Sequence, residues 1–160
     1  MEEITLNLAQ KISSPRPFGL VVSIDSSNKV NVMGISWWTY VSRNPSLLLI
    51  CLSNRNYTNE NIRLSKEFSL CLPSEDIKDE AWKCSTTSGR SINKVEEYNL
   101  ELIQSNHINT PILRESYVAF ECKVVKEIEA GDHIIFLGEI LNILGDTTKK
   151  PLYSLDDNND

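Results

Sequence analysis

The sequence predicts a mainly β protein, a closed or nearly closed antiparallel barrel with helices on its flank. Three observations predict it. Six short runs have strand character. Turn signals rich in Gly, Pro, Asn, Asp and Ser separate several of them. Helical patterning is confined to two or three short segments, which leaves helices only a flanking role.

The first run, FGLVVSID (18–25), leads through DSSNK (25–29) into VNVMGISWWTYVS (30–42), and this pair reads as a hairpin. The second run holds two adjacent tryptophans, Trp37 and Trp38. Successive strand residues face opposite ways, so one ring should meet the core and the other water or a partner. Alternation groups Trp37 with Met33, Ile35 and Thr39, and Trp38 with Gly34, Ser36 and Tyr40. Gly34 and Ser36 leave room for a flat ring near the backbone, which favours the Trp38 face for a ligand. A bulge would invert that parity.

After SRNP (42–45), SLLLICLS (46–53) is apolar on both faces and belongs inside the sheet. TNENIRLSK (58–66) reads as a helix opened by Thr58 as N-cap. EFSLCLP (67–73) is the next strand. SEDIKDEAWKC (74–84) reads as a helix starting at Ser74, with Glu75 and Asp76 in its first turn and Ile77 and Ala81 on one face. NKVEEYNLEL (93–102) is a third candidate helix. In YVAFECKVVKEIE (117–129), Val118, Phe120, Cys122 and Val124 alternate with Glu121 and Lys123, which predicts carboxylate and amine on the exposed face. EAGD (129–132) joins this strand to HIIFLGEILNIL (133–144) as a second hairpin.

A chain of 160 residues suits one domain, taken as 1–152, followed by an acidic tail at 153–160 that carries Asp156, Asp157 and Asp160. The net charge is −6 and no stretch is rich in Lys or Arg, so the electrostatic footprint of a nucleic-acid binder is missing. No apolar run approaches the roughly 20 residues that span a bilayer. The acidic start MEEITLNLAQ lacks the basic-then-apolar order of a signal peptide, which predicts a cytoplasmic protein. The cysteines, Cys51, Cys71, Cys84 and Cys122, lack the paired spacing of a metal site. Cys51, Cys71 and Cys122 read as small buried hydrophobes, whereas Cys84 sits in a polar, loop-like context. Dinucleotide, P-loop and nucleophile-elbow motifs are absent.

Three polar segments carry possible chemistry. In SNRNYTNEN (53–61), a strand ends and a helix begins, so Ser53, Asn56, Tyr57, Thr58 and Asn61 are placed to ring an anion, with Arg55 and Arg63 nearby. In CSTTSGRSINK (84–94), Gly89 permits tight backbone geometry, and Ser88, Arg90 and Lys94 add donors. In GDHIIFLGEI (131–140), Asp132 and His133 open a strand, with Glu139 on the face of His133, and His133 suits a proton donor or hydrogen-bond donor to a ligand. Each segment alone also reads as an ordinary capped turn, loop or strand end. His107, in QSNHINTP, reads as solvated.

Taken in order, PRPFGLVVSID, NKVNVMGISWWTYVSRNP, YTNENIRLSKEFSLCLP, CSTTSGRSINK and GDHIIFLGEI closely resemble the flavin reductase-like, FMN-binding split-barrel family that includes flavoredoxin. The match runs from about Pro15 to Leu152. It departs in having Ser85 after Cys84, where the family often has glycine, and in a short acidic end after Leu152. The resemblance implies a six-stranded antiparallel Greek-key split β-barrel, a homodimer, FMN as cofactor and NAD(P)H as electron donor. It implies that Ser36, Trp37, Trp38 and Thr39 lie along the isoalloxazine, and that Ser53, Tyr57, Thr58 and Asn61 take the phosphate. By the same resemblance Ser88, Gly89 and Lys94 close over the flavin, and His133 sits near the redox-active edge or the nicotinamide. Electrons would leave toward free flavin, a redox partner protein or another acceptor. A non-catalytic FMN carrier and a pyridoxamine phosphate oxidase-like enzyme are the alternatives on the same barrel.

Overall fold

A computed structural model describes residues 2–154. It contains helix α1 (Leu6–Ile12), strands β1 (Arg16–Pro17), β2 (Gly19–Ile24), β3 (Val30–Ile35), β4 (Trp38–Arg43) and β5 (Ser46–Ser53), then helix α2 (Tyr57–Ser65) and β6 (Glu67–Pro73). A 3₁₀ turn (Glu75–Ile77), α3 (Lys78–Thr86) and α4 (Lys94–Glu97) follow. The chain continues through β7 (Leu102–Ile103), β8 (Ile112–Leu113), β9 (Ser116–Ala130), β10 (His133–Gly145) and β11 (Tyr153–Ser154).

Seven strands form one antiparallel sheet in the order β3-β2-β6-β9-β10-β5-β4. β3 and β4 lie at opposite ends of that order, yet only Ser36 and Trp37 separate them in the chain. Two residues span at most roughly 10 Å. The sheet must therefore curl until its two edges meet, which makes it a barrel. No ladder joins β3 to β4 among the described residues, so the barrel is split there. The mainly β expectation stands. The six-strand count changes because 30–42, expected as one strand, breaks at Ser36–Trp37 into two strands on opposite edges.

Both expected hairpins form. At Asp25–Lys29 the Asp25 N–H donates to the Lys29 carbonyl, and Asn28 takes a φ of 62°. The β9–β10 turn is closed by Gly131 at φ 64°, a left-handed conformation that glycine adopts without a Cβ penalty. β5 sits between β10 and β4 as its two apolar faces suggested.

Two apolar layers share the sheet. Inside the barrel, Val21, Leu48, Ile50, Leu70, Phe68, Phe120 and Phe136 interlock. On the outer face of β2, β3 and β6, Leu20, Val22, Val32 and Cys71 meet Ala81 and Cys84 of α3. β2 and β6 are thus buried on both faces, which accounts for their near-continuous apolar runs.

The helices start and stop differently from their sequence reading. The N-cap of α2 is Asn56, and Thr58 lies inside the first turn at 1 % exposure. The segment from Ser74 begins as a 3₁₀ turn before α3. The third helix is a single turn, Lys94–Glu97. Cys84 is buried in α3 rather than in a polar loop, and burial pushes its thiol up to about 11. Glu121, expected outside, is fully buried. Tyr153–Ser154 pair with Arg16–Pro17, so regular structure extends into the stretch expected as a tail; Asp156, Asp157 and Asp160 lie outside the described residues. No helix among the described residues is long and apolar enough to cross a membrane.

Candidate functional site

The end of β5, the start of α2 and the start of β10 meet at one end of the barrel. β5 and β10 run antiparallel with Ser53 opposite His133. The Asn54 N–H donates to the Asp132 carbonyl at 2.9 Å and ties the two turns together. Trp37 occupies the break between β3 and β4, where its carbonyl accepts from the Cys51 N–H at 2.9 Å. That bond places its indole on the imidazole of His133, with ring centroids 4.7 Å apart and planes inclined by 27°. The Trp37 ring is 40 % exposed, a large aromatic surface left open beside polar groups.

The break at Ser36 also decides the fate of the second tryptophan. Trp38 starts β4, packs against the barrel core, lies edge-on to Tyr40 and donates its indole N–H to the Pro17 carbonyl at 3.1 Å. Strict alternation favoured the Trp38 face for a ligand. The bend resets the parity, so Trp37 is the exposed ring and Trp38 the packed one. Ser36 is half-buried at the bend, and Thr39 is exposed on β4.

The first turn of α2 offers donors. Asn56 is the N-cap but its side chain makes no cap bond. Among the described residues the N–H groups of Tyr57 and Thr58 and the hydroxyl of Ser53 have no hydrogen-bond partner. A helix start with free N–H groups carries a partial positive charge and suits an anion.

The side chains of Thr58 and Asn61 point the other way. Thr58 Oγ1 accepts from Asn31 Nδ2 at 3.0 Å, and Asn61 Nδ2 donates to Ser23 Oγ at 3.2 Å. These four residues form a buried polar layer between α2 and the β2–β3 hairpin. Thr58 and Asn61, which the resemblance assigns to the phosphate, have side chains that anchor the helix. Thr58→Ala should strand the Asn31 amide in the interior and lower stability by about 1–3 kcal/mol. Chemical denaturation reads that loss, and a change below 0.5 kcal/mol would show the layer contributes little.

The 84–94 segment packs onto α2. Gly89 is buried, and a Cβ there would collide with Asn31 Oδ1 and approach Tyr57 Cδ1 at 3.3 Å. Arg90 lies over the Tyr57 ring at 4.9 Å and pairs with Glu60. Tyr57 in turn donates to Asp25 Oδ2 at 3.2 Å. Ser88 is exposed and accepts from the Arg90 N–H at 3.3 Å. Lys94 is 2 % exposed, and its ammonium donates to the carbonyls of Val32 at 2.7 Å and Cys84 at 2.8 Å. Burial lowers its pKa from the ordinary lysine value. Lys94 therefore fastens the loop to β3 and α3 rather than facing outward with Ser88.

Of the residues expected together, the structure joins Trp37, Ser53, Asn56 and His133 at one strand end, and brings Gly89 against the same helix turn through Tyr57. Asn31 was not singled out by sequence reading. Its signal was one amide inside the apolar run VNVM. Asp132 was noted only as a strand opener, yet its carboxylate lies 2.6 Å from His133 Nδ1. That hydrogen bond is the largest cause holding the Asp132 carboxyl below the usual aspartate value.

Comparison with known proteins places the chain in a family. The family model described as the flavin reductase like domain matches residues 12–158. A protein of Archaeoglobus fulgidus is 33% identical over 150 residues, 93% of this chain and 83% of that one. A probable flavin reductase of Rhizobium meliloti is 31% identical over 123 residues, 76% of this chain but 37% of the longer protein. The crystal structure of flavoredoxin from Methanosarcina acetivorans superposes with a TM-score of 0.80 at 25% identity, covering 95% of this chain and 82% of the other.

Proposed function

Because the chain belongs to the flavin reductase-like family, we propose that it holds FMN against Trp37 and the first turn of α2, and passes electrons from NAD(P)H through that flavin to an acceptor. Membership makes it a flavin-related oxidoreductase. The observation that carries the finer reading is the open Trp37 ring, stacked on His133 at the strand end where α2 begins with unused donors.

The residues present fit a flavin mononucleotide. Its phosphate needs several N–H and O–H donors, and Ser53, Asn56 and the backbone of Tyr57 and Thr58 supply them without a cation-rich surface. In a chain of net charge −6, such local donors, with Arg55 beside them, must do the work that a global field would otherwise do. The ring needs a flat wall, which Trp37 supplies, with Ser36 at the bend beneath it. Gly89 packs against Tyr57 of α2 with Ser88 next to it in the chain, and Lys94 keeps that loop in place. FMN, when bound, supplies hydride acceptance and electron transfer; the chain supplies position, water exclusion and charge.

Tyr40 and Val41 are exposed on edge strand β4, and Ile143 and Leu144 on β10. Apolar groups on an edge strand suit a homodimer contact, which we include in the reading.

The purified protein should absorb in the flavin bands, and NADH or NADPH should bleach it without oxygen. A colourless protein that does not take up added FMN would overturn the reading. Bound FMN that no nicotinamide reduces would leave a carrier rather than a reductase.

A further inference from the structure

The dyad of Asp132 and His133 sets which hydrogen bond the site can make. His133 Nδ1 lies 2.6 Å from Asp132 Oδ1. A carboxylate only accepts, so Nδ1 must carry the proton. His133 Nε2 has no hydrogen-bond partner among the described residues. Trp37 stacks on one ring face at 4.7 Å and fixes the plane in which Nε2 points. The turn itself is braced, because the Asn54 N–H holds the Asp132 carbonyl and the register holds His133 against Ser53.

We infer that Asp132 is a positioning residue that selects the Nδ1–H tautomer whenever the His133 ring is in its neutral form, so that in that form Nε2 faces the site as a hydrogen-bond acceptor. The partner this selects is an N–H or O–H group of the substrate, such as a carboxamide NH₂ or a sugar hydroxyl of the hydride donor, and not a carbonyl oxygen. This reverses the polarity expected from sequence, where His133 read as a donor. It deepens the proposed function and rests on it only for the identity of the partner. Free histidine favours the opposite tautomer, so the bias must come from the dyad. The Asp132 side chain is 89% exposed against 24% for His133. A strong stabilising bond is therefore not expected, but a tautomer preference needs only about 1.4 kcal/mol for a tenfold bias.

The test uses two readouts. Long-range ¹H–¹⁵N correlation spectra of the full chain at a pH where His133 is neutral, assigned by comparison with His133→Gln, report the tautomer without any flavin or nicotinamide. Wild type should show the Nδ1–H form. Asp132→Ala removes the acceptor and should release the ring to the Nε2–H form that free histidine favours, while Asp132→Glu should keep the wild-type pattern. In anaerobic reduction of the FMN-loaded protein, Asp132→Ala should raise the KM for the hydride donor about tenfold with FMN affinity unchanged. A wild-type Nε2–H tautomer, or an Asp132→Ala variant with unchanged tautomer, would overturn the inference whatever the flavin does. A normal tautomer switch with unchanged KM would remove the substrate contact. Failure to bind FMN at all, with the tautomer switch intact, would overturn the proposed function and leave the positioning role standing.

Discussion

Replacing Glu121 with alanine is expected to cost about 3 kcal/mol of stability, the largest single effect outside the apolar core. Glu121 is fully buried on β9, with Oε2 accepting from the His107 N–H at 2.7 Å and Oε1 from the Asn106 N–H at 3.0 Å and the Asn142 amide at 3.1 Å. These bonds fasten the 104–110 loop across the sheet. Glu67 does the same one turn later, accepting from the N–H groups of Asn109 and Thr110 at 2.8 Å. Alanine removes the acceptor and leaves the amide of Asn142 without it, while the exposed loop backbone can turn to water. That partial rescue is why the expected loss is not larger. For a chain of this size the melting temperature should fall by roughly 6–12 °C. A fall under 2 °C would show that the loop is held by its apolar residues instead.

The same carboxylate makes stability depend on pH. Burial alone would raise its pKa, but the N–H groups of Asn106 and His107 and the Asn142 amide together hold it below the usual glutamate value. A depressed folded-state pKa means stabilisation that is complete above the ordinary glutamate range and disappears as pH falls through the folded value. The wild type should therefore lose stability on acidification toward pH 3, and Glu121→Ala should lose less over the same interval.

The second large effect separates the two tryptophans. Trp37→Ala should leave the fold nearly intact, since the ring is 40 % exposed and outside the core, while weakening FMN binding by about tenfold or more. Stacking of a planar heterocycle on an aromatic side chain is worth roughly 1–3 kcal/mol. Trp38→Ala should do the reverse. It removes a ring packed on Phe120 and a hydrogen bond to Pro17, at an expected cost of about 3–5 kcal/mol. Flavin titration and denaturation on both variants decide it. If Trp38→Ala folds normally and loses the flavin while Trp37→Ala keeps it, the site lies on the other face of β4.

Much of the architecture was legible because it is local. The bounds of β5 and β6 coincide with the apolar runs 46–53 and 67–73, and both hairpins follow from their turn residues. The polar segments that meet at the strand end were also legible, through residue type and through the family pattern. What failed did so for identifiable reasons. Thr58 and Asn56 are both good caps, and sequence does not say which backbone enters the helix first. Lys94, expected to close over the flavin with Ser88 and Gly89, is held by the carbonyls of Val32 and Cys84, which nothing local in the sequence reveals.

By itself the sequence determined most of the long strands, both hairpin turns and the barrel class, because period-two alternation and turn chemistry are properties of a few neighbouring residues, and the order of its motifs pointed to the family. Tertiary structure alone decided which faces are covered. Glu121 stands on the face opposite Phe120, as alternation requires, but a loop from 15 residues earlier in the chain folds over that face. The doubled tryptophan splits its roles only because the barrel closes at Ser36–Trp37, where the two edge strands must meet and the alternation restarts. Burial is a relation between distant segments, so a local pattern sets the side on which a residue stands and the closed fold sets what it meets there.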